Sequence, residues 1–333
     1  MKGVILTDQN SNKIAIDDID LGPLASDEVK IKIYAAALNH RDQWCREGRY
    51  PNIQNGIILG SDGAGEVIEV GADVDSKWLG KFVIINAANN WGAKQKAQSP
   101  NFQIMGMPTH GTLAEYVHIK ADRLMLKPEH MSMEEAAALP LGGVTAYRAI
   151  FYHGQVNPGD RVLVTGFGGG VAQFAAQFAL KAGAIVYTTS GSGQKLQIAY
   201  QHGIKGGFDY NDPDWAEKAK KETGGFDLVI DSAVGDTLDT LIKVIKPGGK
   251  LVIYGATLGN PSKLDMRRVF WNQITIQGTT MGSDRDFKSM VDFVNIHKIV
   301  PIIDSAYPLA DVVQAFDKMR DGKQIGKIVV KLV

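Results

Sequence analysis

Cysteine is almost missing from this chain: one, Cys45, in 333 residues. A lone thiol excludes an internal disulfide and every metal site built on three or four thiolates. An excess of one charge is missing too, since 36 Lys and Arg face 36 Asp and Glu. No block of like charge breaks that balance, so neither a nucleic acid nor an anionic membrane surface is an expected partner. No apolar run approaches the ~20 residues needed to cross a bilayer, and Met1-Lys-Gly-Val-Ile-Leu-Thr-Asp is too short in apolar residues for a secretion signal. A soluble, cytoplasmic chain acting on a small molecule is the expectation. Glycine, by contrast, is abundant at 37 residues and follows no repeat, which announces tight turns and close backbone approaches. The length exceeds what one compact domain usually carries, so two domains are expected.

From residue 1 to about 120 the apolar runs are short and bounded by Gly, Pro, Asn and Asp, or alternate with polar residues, as in Val29-Lys-Ile-Lys-Ile-Tyr. That texture predicts a β-rich domain. The stretch Asn86 to Gly111 has no clear period and reads as an excursion or lobe. Ser132-Met-Glu-Glu has the spacing of a capped helix start and Pro140 the look of its stop. Beyond it, apolar strands at Arg161 to Thr165, Ile185 to Thr189, Leu228 to Asp231 and Lys250 to Tyr254 alternate with helical patterns. They predict a doubly wound parallel sheet covered on both faces, an α/β fold. Helices at Phe287 to Ile296 and Leu309 to Met319 and a strand at Lys327 to Val333 close the chain.

Val162-Leu-Val-Thr-Gly166-Phe-Gly168-Gly169-Gly170-Val171-Ala172 reads as a buried strand, a glycine-rich turn and the opening of a helix. The turn at Gly166, Gly168, Gly169, Gly170 and Val171 lets backbone N–H groups approach a pyrophosphate at a helix N-terminus. Sites for NAD carry a carboxylate some ~20 residues onward to hold the ribose 2′-OH. Here the next strand runs instead into Ser190-Gly-Ser192-Gly-Gln-Lys195. Two hydroxyls and a cation suit the 2′-phosphate of NADP; an ordinary polar loop with a surface lysine is the bland alternative. Tyr210, after the strand-like step Gly207-Phe-Asp, is a further 2′-phosphate candidate, and Gly255, past the strand ending at Tyr254, completes the cofactor-binding set.

Taken together, these motifs resemble the medium-chain dehydrogenase/reductase superfamily, and within it zinc-free members similar to quinone oxidoreductase. The residues that carry the likeness are Ala37-Leu-Asn39-His40-Arg41-Asp42, Leu59-Gly60-Ser61-Asp62-Gly63-Ala64-Gly65, Gly111-Thr-Leu-Ala-Glu-Tyr-Val, Leu139-Pro-Leu-Gly-Gly-Val-Thr145-Ala-Tyr147, Phe226 to Gly235 and Lys246-Pro-Gly-Gly-Lys-Leu-Val. The resemblance implies a GroES-like catalytic domain over 1–125 and 267–333, a Rossmann domain over 126–266, and an active site in the cleft between them. It also implies a homodimer through the edge strand near Ile274 to Gln277, with a homotetramer as the larger alternative.

In the zinc alcohol dehydrogenases of the superfamily, a catalytic zinc polarises the substrate. The matching positions here hold Asn39, Ser61 and Leu141, a poor ligand set, while Asp62 stands where those enzymes keep a carboxylate beyond the metal. The four cysteines of a structural zinc lobe are absent from Asn86 to Gly111. The implied reaction is hydride transfer from NADPH to a quinone or an α,β-unsaturated carbonyl. By resemblance Asn39 and Thr145 lie by the nicotinamide, Asp42 organises the site, and Arg41 or His40 supplies the proton or oxyanion donor. Alternatives are an alcohol dehydrogenase with an unconventional metal held through Asp62, and a sensor or scaffold that binds NADPH without turnover. Cys45, near Arg41 and Arg46, is either a redox-sensitive thiol or a small buried hydrophobe. Met105 and Met107 either line a substrate entrance or fill the lobe.

Overall fold

The computed structural model describes residues 1–332; Val333, the end of the expected last strand, lies outside the described residues. The chain opens with β1 (Lys2–Leu6), β2 (Ile14–Asp18), the long strand β3 (Glu28–Ala37), α1 (His40–Arg46), β4 (Asp62–Val70), β5 (Phe82–Ile85), β6 (Ala88–Asn89), β7 (Gln103–Ile104), β8 (Tyr116–Lys120) and β9 (Leu124–Leu126). Two helices follow, α2 (Met133–Ala138) and α3 (Pro140–Tyr147). Pro140 therefore starts a helix as well as ending one, because a first-turn residue needs no N–H partner. Then strands and helices alternate: β10 (Arg161–Val164), α4 (Gly170–Lys181), β11 (Ile185–Ser190), α5 (Gly193–Gln201), β12 (Gly206–Asp209), α6 (Trp215–Thr223), β13 (Phe226–Asp231), α7 (Thr237–Val244), β14 (Ile245–Ile253), α8 (Met266–Trp271) and β15 (Thr275–Gly278). The chain closes with α9 (Asp284–His297), β16 (Ile303–Pro308), α10 (Val312–Arg320) and β17 (Lys327–Lys331).

These elements form two units, Met1–Val144 with Gly282–Val333, and Thr145–Met281. The borders differ from the expected 125/126 and 266/267. Helix α2, with Ala136, Ala137 and Ala138 fully buried, packs on β3, β4 and β17, which keeps residues 126–144 in the β-rich unit. At the other border β15 pairs in parallel with β14, which keeps 267–281 in the second unit. No helix among the described residues is long and apolar enough to cross a membrane.

The second unit is a six-stranded parallel sheet in the order β12-β11-β10-β13-β14-β15, the doubly wound order with its reversal between β10 and β13. Leu163, Val229 and Leu251 from its central strands are buried with Phe226, Leu238 and Leu241. Each such side chain contributes about 1.5–3 kcal/mol by leaving water.

The β-rich unit carries a sheet in the order β16-β17-β3-β4-β5-β9, with β8 also on β3. The alternation read in β3 is real, for Val29, Ile31 and Ile33 are fully buried while Lys30 and Lys32 are not. In this sheet Ala37, the last residue of β3, lies opposite Asp62 on one side and Val329 on the other. The end of β3, the start of β4 and the start of β17 therefore meet at one edge. Gly326 makes this possible: its φ is +91°, and a Cβ there would sit 2.1 Å from the carbonyl oxygen of Ile302. Only glycine lets β17 enter the sheet at that point.

Candidate active site

Three side chains converge at that sheet edge. Lys327 Nζ lies 2.9 Å from Asp62 Oδ2 and 2.7 Å from Asn39 Oδ1. Asn39 in turn donates from Nδ2 to the same Asp62 Oδ2 at 2.9 Å, and the Leu141 backbone N–H donates to Asp62 Oδ1 at 2.7 Å. The ion pair is almost sealed from water, its side chains 3% and 0% exposed. Two buried charges persist only where they pair and their remaining hydrogen-bonding capacity is met, and here Asn39 and Leu141 meet that of the carboxylate. Asn39 itself is fixed from behind: its backbone N–H donates to Asp42 Oδ2 at 2.8 Å, and its carbonyl accepts from the Asp42 N–H. Asp42 is wholly buried, and desolvation raises its pKa against the opposing pull of Arg41. Asp42 thus caps α1 and holds Asn39 in place.

Arg41 is placed differently from expectation. Nη1 donates to Ser61 Oγ and, at 2.7 Å, to the Met105 carbonyl; Nη2 donates to the carbonyls of Ile104 and Met107; Nε donates to Tyr50 Oη. A guanidinium has five N–H groups, and all five have protein acceptors. Arg41 is a clamp on the 104–107 segment, and the expectation of an oxyanion donor at this residue is corrected for that reason. His40 is exposed at the first turn of α1. The protein around its ring, and then the Lys327 charge, hold its pKa below the ordinary histidine value. The imidazole is therefore neutral at pH 7, which makes it a poor proton source. The redox-sensitive reading of Cys45 also falls, because its thiol is 1% exposed and burial, then the Asp42 charge, push its pKa up to about 12. Met105 and Met107 are 3% and 2% exposed, so they fill the interior. The lobe closes around Trp91, whose indole meets Phe102 edge-to-face at 5.3 Å.

The second unit carries the dinucleotide candidates. Strand β10 runs into Gly166, at φ +65°, and α4 begins at Gly170 after Gly169 as its N-cap. First-turn N–H groups, those of Gly170 and Val171 among them, have no partner within a helix and stand ready for a phosphate. The Gly166 N–H is anchored to Thr189 Oγ1 at 3.2 Å. A Cβ on Gly168 would meet Lys195 Nζ at 2.7 Å, so the lysine head lies directly over the glycine turn. Ser192 caps α5 by accepting from the Lys195 N–H, and Ser190 Oγ accepts from the Ser192 N–H at 3.2 Å. A Cβ on Gly191 would come within 2.7 Å of the Tyr210 ring. Ser190, Ser192, Lys195 and Tyr210 thus gather at the carboxyl end of β11. Gly255 packs against Ser232, 3.3 Å from where its Cβ would sit, at the carboxyl ends of β13 and β14. Thr145, 5% exposed in α3, is the first residue of this unit. The glycine turn with one cation over it and two hydroxyls at the end of β11 fits a dinucleotide.

Both units match known family models. Residues 25–129 match the alcohol dehydrogenase GroES-like domain and residues 170–295 the zinc-binding dehydrogenase domain. A zinc-type alcohol dehydrogenase-like protein of Leptosphaeria maculans is 36% identical over 92% of this chain and 90% of its own length. The chain belongs to the medium-chain dehydrogenase/reductase superfamily. It is an oxidoreductase of that type. A crotonyl-CoA reductase of Streptomyces avermitilis is 28% identical over 98% of this chain and 84% of its own. The crystal structure of an NAD-dependent alcohol dehydrogenase superposes with a TM-score of 0.95 at 33% identity, covering all of both chains.

A catalytic zinc, which membership of this superfamily brings into question, does not fit the residues present. Ser61 Oγ already donates to the Met105 carbonyl at 2.8 Å and accepts from Arg41. Leu141 offers only a backbone N–H, which Asp62 takes. The Asp62 oxygens accept three hydrogen bonds, one from an ammonium whose charge repels a dication. No group of three His, Cys, Asp or Glu able to hold a metal exists among the described residues. The metal-dependent alternative through Asp62 loses its ligand on the same grounds. Lys327 is the residue that reading the sequence missed. A lysine opening an apolar strand looks like any solvated strand end, and no local signal joins it to a carboxylate 265 positions away.

Proposed function

We propose that this chain is a zinc-independent, NADPH-dependent reductase that delivers hydride to a quinone or an α,β-unsaturated carbonyl. The reading is supported by Asn39, Ser61 and Leu141, which the resemblance matches to zinc-ligand positions and which are a poor ligand set, with Ser61 and Asp62 already engaged by Arg41 and Lys327. Without a Lewis acid to ionise an alcohol, oxidation of simple alcohols loses its activating group. Reduction of a conjugated acceptor leaves charge on an oxygen that hydrogen bonds support. The bound dinucleotide supplies the hydride. The chain's part is to seat the pyrophosphate at Gly166 to Val171 and hold the 2′-phosphate between Lys195, Ser190, Ser192 and Tyr210. It also keeps the sheet edge at Asn39 dry. Assay with 9,10-phenanthrenequinone, 1,4-benzoquinone and 2-cyclohexenone is expected to give NADPH-dependent turnover. Turnover of none of them beside robust alcohol oxidation overturns the reading.

NADPH preference rests on the absence of a carboxylate at the end of β11 and on the position of Lys195 over Gly168. The solved relative described as NAD-dependent makes this the first point to test. Lys195→Ala is expected to weaken NADPH binding by about 10-fold or more, as for loss of one charge-assisted hydrogen bond, and to leave NADH binding within about twofold. Fluorescence titration reads both, and an unchanged NADPH affinity refutes the assignment.

A homodimer is part of the same proposal. Strand β15 is the last in the parallel sheet and leaves one row of backbone groups unpaired. Beside it α8 exposes Phe270 at 66% and Trp271 at 80%. An open apolar edge of this kind invites pairing with a second copy. Sedimentation of Trp271→Glu/Ile276→Lys is expected to show a monomer where the parent is a dimer or a tetramer; a monomeric parent removes the idea.

A further inference from the structure

We propose that Asp231 is a positioning residue for the bound dinucleotide, its carboxylate holding the turn 232–235 in the shape that receives the nicotinamide end. The inference rests on the reading of a dinucleotide at the glycine turn and deepens it by naming what shapes the other half of that site. The turn follows β13, the neighbour of β10 across the point where the strand order reverses. A doubly wound sheet binds its ligand in the crevice outside the strand ends at that point, one mononucleotide to each half. Ser190, Ser192, Lys195 and Tyr210 gather at the end of β11, and with the 2′-phosphate they take the adenosine end. The ends of β13 and β14 are left to the nicotinamide end. All of these residues belong to the second unit.

The turn is strained. Val234 has φ +56°, a left-handed backbone that a β-branched residue avoids, and Gly235 follows at φ +49°. Such a conformation persists only where its surroundings enforce it, and it gathers at ligand clamps and active sites. The Asp231 carboxylate does the enforcing. Its Oδ2 accepts from the Val234 N–H at 2.8 Å and from the Ala233 N–H at 3.1 Å, and its Oδ1 accepts from Thr165 Oγ1. Thr165 directly precedes Gly166, so one side chain, 1% exposed, ties the strained turn to the start of the glycine turn. The β14 side braces it as well. The N–H groups of Thr257 and Leu258 donate to the carbonyls of Ser232 and Ala233, and the Gly235 N–H donates to the Gly259 carbonyl. Ser232 and Ala233 are only half-buried and residues 256–260 are exposed. The turn is therefore open to a ligand, and Asp231 acts on it from beneath.

The test needs no turnover, because the two ends of the dinucleotide can be probed apart. The emission of bound NADPH reports the nicotinamide end, and adenosine 2′,5′-bisphosphate occupies the other end alone. Both are titrated into the full-length protein, the first by fluorescence and the second by calorimetry. Asp231→Ala is expected to weaken NADPH by about tenfold or more and to leave the bisphosphate within about twofold, with the blue shift of the bound emission lost. A carboxylate that served only the fold would weaken both probes alike. Asp231→Asn keeps an oxygen for the two N–H groups and is expected to restore NADPH binding to within about threefold of the wild type. Val234→Gly adopts the same φ without strain and lets the turn move, so it tests the turn even if Asp231→Ala does not fold. It is expected to weaken NADPH by about threefold or more with the bisphosphate unchanged. Equal loss of both probes in Asp231→Ala, NADPH binding unchanged in Asp231→Ala or Val234→Gly, or no recovery in Asp231→Asn overturns the proposal. A wild type that prefers NADH is put through the same comparison with NADH and 5′-AMP. Binding of neither dinucleotide by the wild type sinks the reductase reading, and this proposal with it.

Discussion

Asp62→Asn lowers the melting temperature of the β-rich unit by about 6–20 °C. The figure follows from the burial of the ion pair. Lys327 and Asp62 are 3% and 0% exposed, so neutralising Asp62 leaves an ammonium out of water with no counter-ion. Breaking a buried pair from one side costs about 3–5 kcal/mol. For a domain of 150–250 residues each kcal/mol moves the midpoint by about 2–4 °C. Lys327→Met/Asp62→Asn is expected to recover most of the loss, because the desolvation penalty leaves with the charges and the introduced amide oxygen can still accept from the Leu141 N–H. Thermal melts followed by circular dichroism give both values. If the single variant melts with the wild type, the pair is not closed to water as the geometry states.

Arg41→Met shows a large loss of stability with a small loss of rate. Its guanidinium serves the carbonyls of Ile104, Met105 and Met107 together with Ser61 Oγ and Tyr50 Oη. Removing it strands five acceptors, each costing about 1–3 kcal/mol where it stays buried without a new partner, so a loss of at least about 3 kcal/mol is expected. The kcat of the folded fraction on 2-cyclohexenone, measured well below the melt, should fall by less than about tenfold. A fall of about 10²–10³-fold with an unchanged melt would mark an oxyanion donor and restore the assignment that the sequence motif suggested. Urea unfolding beside steady-state kinetics distinguishes the two.

The parts of the site that could be read from sequence are those built by near neighbours. The glycine turn at Gly166 to Val171 lies between the strand and helix that its spacing implied, and Ser132 with Glu135 forms the capping pair read from three residues. Asp62 was recognisable as a carboxylate of the first domain's motifs, and Asn39 as a poor zinc ligand, because both sit in motifs. Arg41 and Cys45 were misread because charge and thiol chemistry depend on partners the motif does not contain. Arg41 finds acceptors more than 60 residues on, and burial silences Cys45. The domain borders were misplaced for a related reason. Packing of α2 onto the β-rich sheet and pairing of β15 with β14 are long-range events that leave no change of composition at the border.

By itself the sequence determined that this protein could hold no thiolate-rich metal site, that its second part would wind a parallel sheet with a glycine-rich turn after its first strand, and that Asn39, Ser61 and Leu141 are a poor ligand set for zinc. Those are properties of residue type and local spacing. Only the tertiary structure decided what stands there instead. The sheet order places β17 beside β3 and β3 beside β4, and Gly326 lets the last strand enter at the right point. A lysine from the end of the chain thereby meets an aspartate from its beginning, and the two charges are paired out of water.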